Sequence, residues 1–152
     1  MNNEERVMSL AMSTQEREAF LADLHVGVVS IARADRGPLT VPIWYDYEPG
    51  GDIWMITNES SIKGRLLKNV TRITLCAQTE AAPYRYVSVE GEFSITALEE
   101  GQTLAMAQRY LGEEMGKAYA SASSGGESSI VVRLETQNWL TVDYGKSDLL
   151  EE

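Results

Sequence analysis

Among 152 residues there is one cysteine, Cys76, and one histidine, His25. A single cysteine excludes an internal disulfide and a cysteine metal cluster, and its setting in the apolar run "ITLCAQ" predicts a buried, unreactive thiol. No metal site is expected. The lone histidine has no second catalytic partner nearby in sequence, and no "GxSxG" elbow or "HExxH" pair is present; a structural role is expected for it. Bases are also scarce. Thirteen Lys and Arg against 23 Asp and Glu give a formal net charge of -10, which disfavours broad contact with nucleic acid or an anionic membrane. Any anionic ligand must therefore be held by local charge. No run approaches the ~18 apolar residues of a membrane span, and "MNNEERVMSL" has no basic region followed by an apolar one. These absences predict a soluble, cytoplasmic protein with neither nucleic acid nor membrane among its partners.

What is present suffices for one core. At 43% hydrophobic and 24% charged residues, the chain reads as a single domain over 1–152, with 1–12 a flexible N-terminus and 146–152 an acidic tail. "STQEREAFLADL" opens on Ser13 with Glu16 three residues on, the capping-box spacing, and Ala19, Phe20 and Leu24 mark an apolar face. "VGVVSIARA" reads as a strand, and "LTVPIWYDY" turns through "EPGG" into "DIWMIT" at hairpin spacing. Pro42 lies inside the first of these; proline cannot donate to a ladder, so something other than a neighbouring strand is expected beside it. "SIKGRLLKN" places Ile62, Leu66 and Leu67 at helical spacing. "RITLCAQT" and "YRYVSVEGEFSIT" are strands, the latter alternating as expected of a sheet with one wet face. Residues 99–122 read as helix broken near Gly112, and "ASASSGGESS" as a mobile loop. "SIVVRLET" and "NWLTVDYG" are the last strands. About seven short strands with hairpin turns favour a closed or partly closed antiparallel barrel.

Against the acidic background, Lys63, Arg65, Lys68 and Arg72 form a cationic island in "TNESSIKGRLLKNVTR", with no acid between Ser60 and Thr79. Hydroxyls followed by a lysine at a helix start suit an anion. The plainer alternative is a serine cap on an exposed basic helix. The glycines of a P-loop are missing.

"TNESSIKGRLLKNVTRITL" resembles the phosphate-binding segment of the pyridoxamine 5'-phosphate oxidase-like split-barrel flavoproteins, and the order of elements from about residue 13 to 145 matches as well. The resemblance implies a mainly β fold with flanking helices, an antiparallel split β-barrel assembled as a homodimer. It implies that Thr57, Asn58, Ser61 and Lys63 hold a cofactor phosphate. Val41, Pro42, Ile43 and Trp44 would line the face of a tricyclic ring, Lys63, Arg65 and Lys68 would steer an acidic tail, and Trp139 would be the aromatic sent in from the second subunit, the alternative being that it fills the core. Tyr84, Arg85 and Tyr86 would border the substrate pocket. Ile62 stands where many relatives have arginine, and Val70-Thr71 where they have Asn-Pro. The chain stops without the C-terminal arginine segment of true pyridoxamine phosphate oxidases, so that oxidation is not expected.

The function implied is an oxidoreductase that uses the deazaflavin F420 to reduce an unsaturated small molecule. The alternatives are an FMN-dependent oxidoreductase of the same fold and a non-catalytic flavin, deazaflavin or haem binder. No catalytic residue is identified; Tyr45 and Tyr86 are candidates for relaying a proton.

Overall fold

The computed structural model describes residues 2–5, 10–123 and 128–147. Helix α1 (Thr14–Ala22) precedes β1 (Gly27–Ile31), β2 (Leu39–Ile43), β3 (Tyr45–Tyr47) and β4 (Ile53–Asn58). A short α2 (Ile62–Leu66) runs through a 3-10 turn (Leu67–Asn69) into β5 (Arg72–Gln78), and the long β6 (Arg85–Ala97) follows. The hairpin α3 (Gln102–Leu111) and α4 (Glu113–Ala122) then leads to β7 (Ser129–Leu134) and β8 (Asn138–Asp143).

All ladders are antiparallel, in the order β2-β1-β5-β6-β7-β4-β3, with β8 also paired to β6. β6 spans both halves: its first part lies between β5 and β8, and from Phe93 onward it pairs β7. Leu134 faces Phe93 and Asn138 faces Glu90, so the β7–β8 side has one residue more than β6 between these pairs. That bulge bends the sheet, and it requires Gly91, where a Cβ would lie 2.0 Å from the Glu135 carbonyl oxygen. The sheet curls into the expected split barrel, with flanking helices.

The core fills the inside of the curl. Val29, Ile31, Leu75, Val87 and Val89 from one half meet Tyr45, Ile53, Met55, Val132 and Leu134 from the other, each full burial stabilising the fold by about 1.5–3 kcal/mol. Alternate residues of β6 face outward, as its pattern predicts. Ser13 and Glu16 form the reciprocal capping box at α1. The apolar face of that helix is Phe20 and Leu21, however; Leu24 lies past the Asp23 cap and is exposed.

Three further expectations change. "LTVPIWYDY" is two strands broken at Trp44, giving eight strands in place of about seven. Cys76 is half-buried, its thiol pKa raised by the part that is covered. Within residues 1–12, Leu10 and Met12 are buried against β8: Asp143 N donates to Leu10 O at 2.8 Å and Met12 N to Thr141 Oγ1 at 2.9 Å. The predicted mobile loop falls partly, and the acidic tail mostly, outside the described residues. Among the described residues no helix is long and apolar enough to cross a membrane.

Candidate functional site

β4 ends in a polar corner. Thr57 is buried, and its hydroxyl lies 3.3 Å from that of Ser61. Ser61 caps α2: its Oγ accepts from Gly64 N at 3.1 Å and donates to Asn58 O at 2.6 Å. The Asn58 side-chain oxygen accepts from the Ser60 amide and hydroxyl, at 2.8 and 2.7 Å. The corner is tight enough to demand a glycine. A Cβ on Gly64 would sit 2.3 Å from Asn58 O and 2.5 Å from Glu59 O. The capping reading of Ser61 is therefore correct, and it is compatible with a ligand role, because the hydroxyl proton can turn from Asn58 O to an anion while the oxygen still accepts from Gly64 N.

The four cations of the island separate here. Arg72 is committed to β6: its Nε and Nη2 donate to the two carboxylate oxygens of Glu90 at 3.0 and 2.9 Å, and Glu92 is 3.7 Å away. The guanidinium in turn holds the Glu90 carboxyl below its ordinary pKa. Lys68 pairs with Glu59 at 3.6 Å, both side chains exposed. Arg65 is exposed and Lys63 half-buried, and neither has an ion-pair partner among the described residues. Lys63 lies beside Thr57, Ile43 and Leu67 at the mouth of the barrel interior. Of the three apolar residues at helical spacing, Leu67 is buried and Ile62 is exposed.

Beside this corner runs an apolar groove of about 390 Å³ lined by Val26, Pro42, Ile43, Trp44, Ile56 and Tyr119. β2 is the edge of its sheet, which accounts for Pro42: its neighbour on one side is Val28 of β1, and no ladder lies on the other. Val41 and Ile43 pack against the core, while Pro42 is exposed toward the groove.

The chain break at Trp44 is held by α3, which the sequence reading did not connect with this site. Tyr45 N donates to Tyr110 Oη at 3.0 Å; that hydroxyl donates to His25 O at 2.6 Å, with Tyr45 O also 2.9 Å away. Arg109 donates to Tyr45 O, Ala22 O and Asp23 O at 3.1, 3.2 and 3.1 Å, and pairs with Asp46 at 3.5 Å. The Trp44 ring stacks on Tyr110 (5.0 Å between centroids, 6° between planes) and meets Tyr119 at 5.3 Å and 52°. Each of these contacts joins residues more than sixty positions apart, and no local pattern signals them.

Other candidates lie elsewhere. Trp139 is on β8, with the Arg17 guanidinium 4.5 Å above its ring and Tyr47 edge-on at 6.4 Å; within one chain it belongs to the α1 side of the core. Arg85 sits over Phe20 at 5.2 Å and lines a separate hollow with Glu16, Asp23 and Asp143. Neither it, Tyr84 nor Tyr86 lines the groove. Tyr45 is fully buried, donates to Leu21 O at 2.7 Å and has its pKa raised by burial, so it cannot exchange a proton with a ligand. His25 stacks on Phe20 at 4.4 Å and hydrogen-bonds the Phe20 carbonyl at 3.0 Å, a structural placement.

An antiparallel split barrel with a strand-to-helix polar corner opening onto an apolar groove defines the class of this protein. The pyridoxamine 5'-phosphate oxidase family model matches residues 13–143, and the chain belongs to that family. No curated protein sequence matches it. Among solved structures, a conserved hypothetical protein of Mycobacterium tuberculosis is 22% identical with a TM-score of 0.72, covering 91% of this chain and 89% of its own. A protein described as an F420 reductase is 18% identical (TM-score 0.62, 80% and 94% covered). A FAD and heme binding protein of Mycobacterium smegmatis is 16% identical (TM-score 0.64, 86% and 71% covered). At these identities the likeness is one of fold.

Proposed function

We propose that this protein is an oxidoreductase that binds a flavin-type cofactor, F420, and reduces an unsaturated small molecule. The observation that carries this reading is Lys63: in a chain of net charge -10, a half-buried lysine without an ion-pair partner among the described residues stands beside two hydroxyls. The residues fit such a group. Lys63, Thr57 and Ser61 would hold its phosphate, and the apolar groove over Pro42, Ile43 and Trp44 would take its flat ring. Reduced F420 supplies a hydride when bound. The chain's own part is to orient and to exclude water: Arg109 and Tyr110 fix the backbone at Trp44, and Ile56 and Tyr119 line the groove. The similarity to a protein described as an F420 reductase supports the deazaflavin, and Arg65 is free to meet its acidic tail.

One observation favours FMN as a second reading. Lys68 is engaged by Glu59, which, with Lys63 on the phosphate, leaves Arg65 alone for a polyanionic tail and suits a cofactor with a single phosphate. Titration of the purified protein with F420 and with FMN, followed by fluorescence, separates the two. Saturable binding of neither removes the oxidoreductase reading; binding without turnover leaves a carrier or sensor.

The family resemblance also leads us to propose a homodimer. Pro42, Val28, Cys76, Ser88 and Leu140 stand in one cross-strand row over five strands, facing outward with Leu140 53% exposed. A row of small and apolar side chains suits burial against a second copy.

A further inference from the structure

Behind Trp44 lies a second hollow, of about 110 Å³, between the groove and the α3–α4 hairpin. Trp44, Ile56 and Tyr119 line both spaces and so form the wall between them. Met106 and Ala107, both buried, make the floor, and Thr103 and Ser123 bring hydroxyls to it. No charged side chain lines it among the described residues. Its volume is below that of the ~150 Å³ enclosed cavity known to take a benzene ring, but the hollow is open beside the exposed Tyr119 and Ser123, so a substituent on a bound ring can project from it.

We propose that this chamber is the binding site for the ring of a small, neutral, planar substrate carrying a carbonyl or hydroxyl group. Three observations select that chemistry. Trp44 and Tyr119 offer aromatic surface, which favours a flat ring. A carboxylate or phosphate would find no cation there and would enter against the field of a chain with net charge -10. The hydroxyl of Thr103 offers a polar, uncharged oxygen substituent one partner, without the cost of burying a charge. Tyr119 is 45% exposed and lines both the hollow and the groove, so a ring bound in the hollow lies next to the groove. The place of this ring in a reaction rests on the cofactor reading above; its binding does not.

The test uses para-fluoroacetophenone as a neutral probe and para-fluorobenzoate as its anionic counterpart, titrated by fluorine NMR into the full chain without added cofactor. Saturable binding of the ketone is expected, with the benzoate at least tenfold weaker. Thr103→Val, which keeps the side-chain shape, and Tyr119→Ala, at an exposed position, should each weaken the ketone about threefold to tenfold, with unfolding midpoints near wild type. Lys63→Ala should bind the ketone as wild type does. Failure of F420 and FMN to bind would leave these readouts standing and would count only against the cofactor. Equal affinity for ketone and benzoate, absence of saturable ketone binding, or unchanged affinity in both Thr103→Val and Tyr119→Ala overturns the proposal.

Discussion

A lysine that makes no ion pair with the described residues of its own chain is available to a ligand, and this separates Lys63 from the other bases near it. Lys63→Ala should remove a charge-assisted contact of about 1.5–3 kcal/mol, a loss of cofactor affinity of about tenfold to hundredfold. Arg72→Ala should leave affinity nearly unchanged, because that guanidinium is spent on Glu90. Isotherms for F420 and FMN at low and high salt would show it: an ionic contact weakens with salt, and the lysine variant should show the shallower dependence. Equal affinities for wild type and Lys63→Ala with both cofactors would reduce the corner to a capped helix. The polar corner after β4 was legible because its residues are neighbours in sequence. Tyr110 was not, since a tyrosine on an amphipathic helix shows nothing of the carbonyl it reaches 85 positions away. Tyr110→Phe deletes a bond from Tyr45 N and one to His25 O and leaves those backbone groups short of partners, so a loss of about 1–3 kcal/mol is expected in urea unfolding.

At the scale of elements, local chemistry was readable wherever partners sit three or four residues apart, as in the Ser13–Glu16 box and the break at Gly112. Tertiary placement decided the rest. Trp44 interrupts a run that looks continuous because the helical hairpin grips the backbone there, and Trp139, placed from the resemblance at a subunit boundary, is engaged by Arg17 and Tyr47 of its own chain. Helix α1 carries a pH prediction. Lys146 Nζ donates to Glu16 at 2.7 Å, and this bond, with the Ser13 cap, lowers the Glu16 pKa from 4.5 to about 2. Between those values the unfolded chain binds the extra proton, so the stabilisation from Glu16 is complete above about pH 4.5 and fades as pH falls toward 2. His25 adds a term of the same sign higher up. Burial lowers its pKa below 6.5, so its contribution is complete above that value and declines as pH falls. The stability gap between wild type and Glu16→Gln should therefore narrow from pH 6 to pH 3 in chemical unfolding; a constant gap would mean the ion pair is not formed in solution.

The whole molecule presents a contrast between a strongly acidic surface and one outward sheet face with a row free of charge. β1, β2, β5, β6 and β8 place Val28, Pro42, Cys76, Ser88 and Leu140 in register, while the next row, Thr40, Ser30, Thr74, Glu90 and Asn138, is polar. A net charge of -10 opposes self-association in general, so two copies would meet where acids are absent, and this row begins at Pro42 on the rim of the apolar groove. On the proposed function, dimerisation and cofactor affinity would be coupled: a partner seated on the row would cover the groove beside Pro42 and remove the ring from water. Leu140→Asp sets a carboxylate at the β8 end of the row, at an exposed apolar side chain, without touching the Lys63 corner. Sedimentation should show wild type as a dimer at micromolar concentration and the variant as a monomer, with a wild-type-like unfolding curve extrapolated to low concentration. Cofactor affinity should fall in the variant while the salt dependence that Lys63 contributes persists, because the proposed phosphate ligands Thr57, Ser61 and Lys63 belong to one chain. A wild type that sediments as a monomer, or a monomeric variant that binds cofactor as tightly as wild type, would show that one barrel completes the site alone.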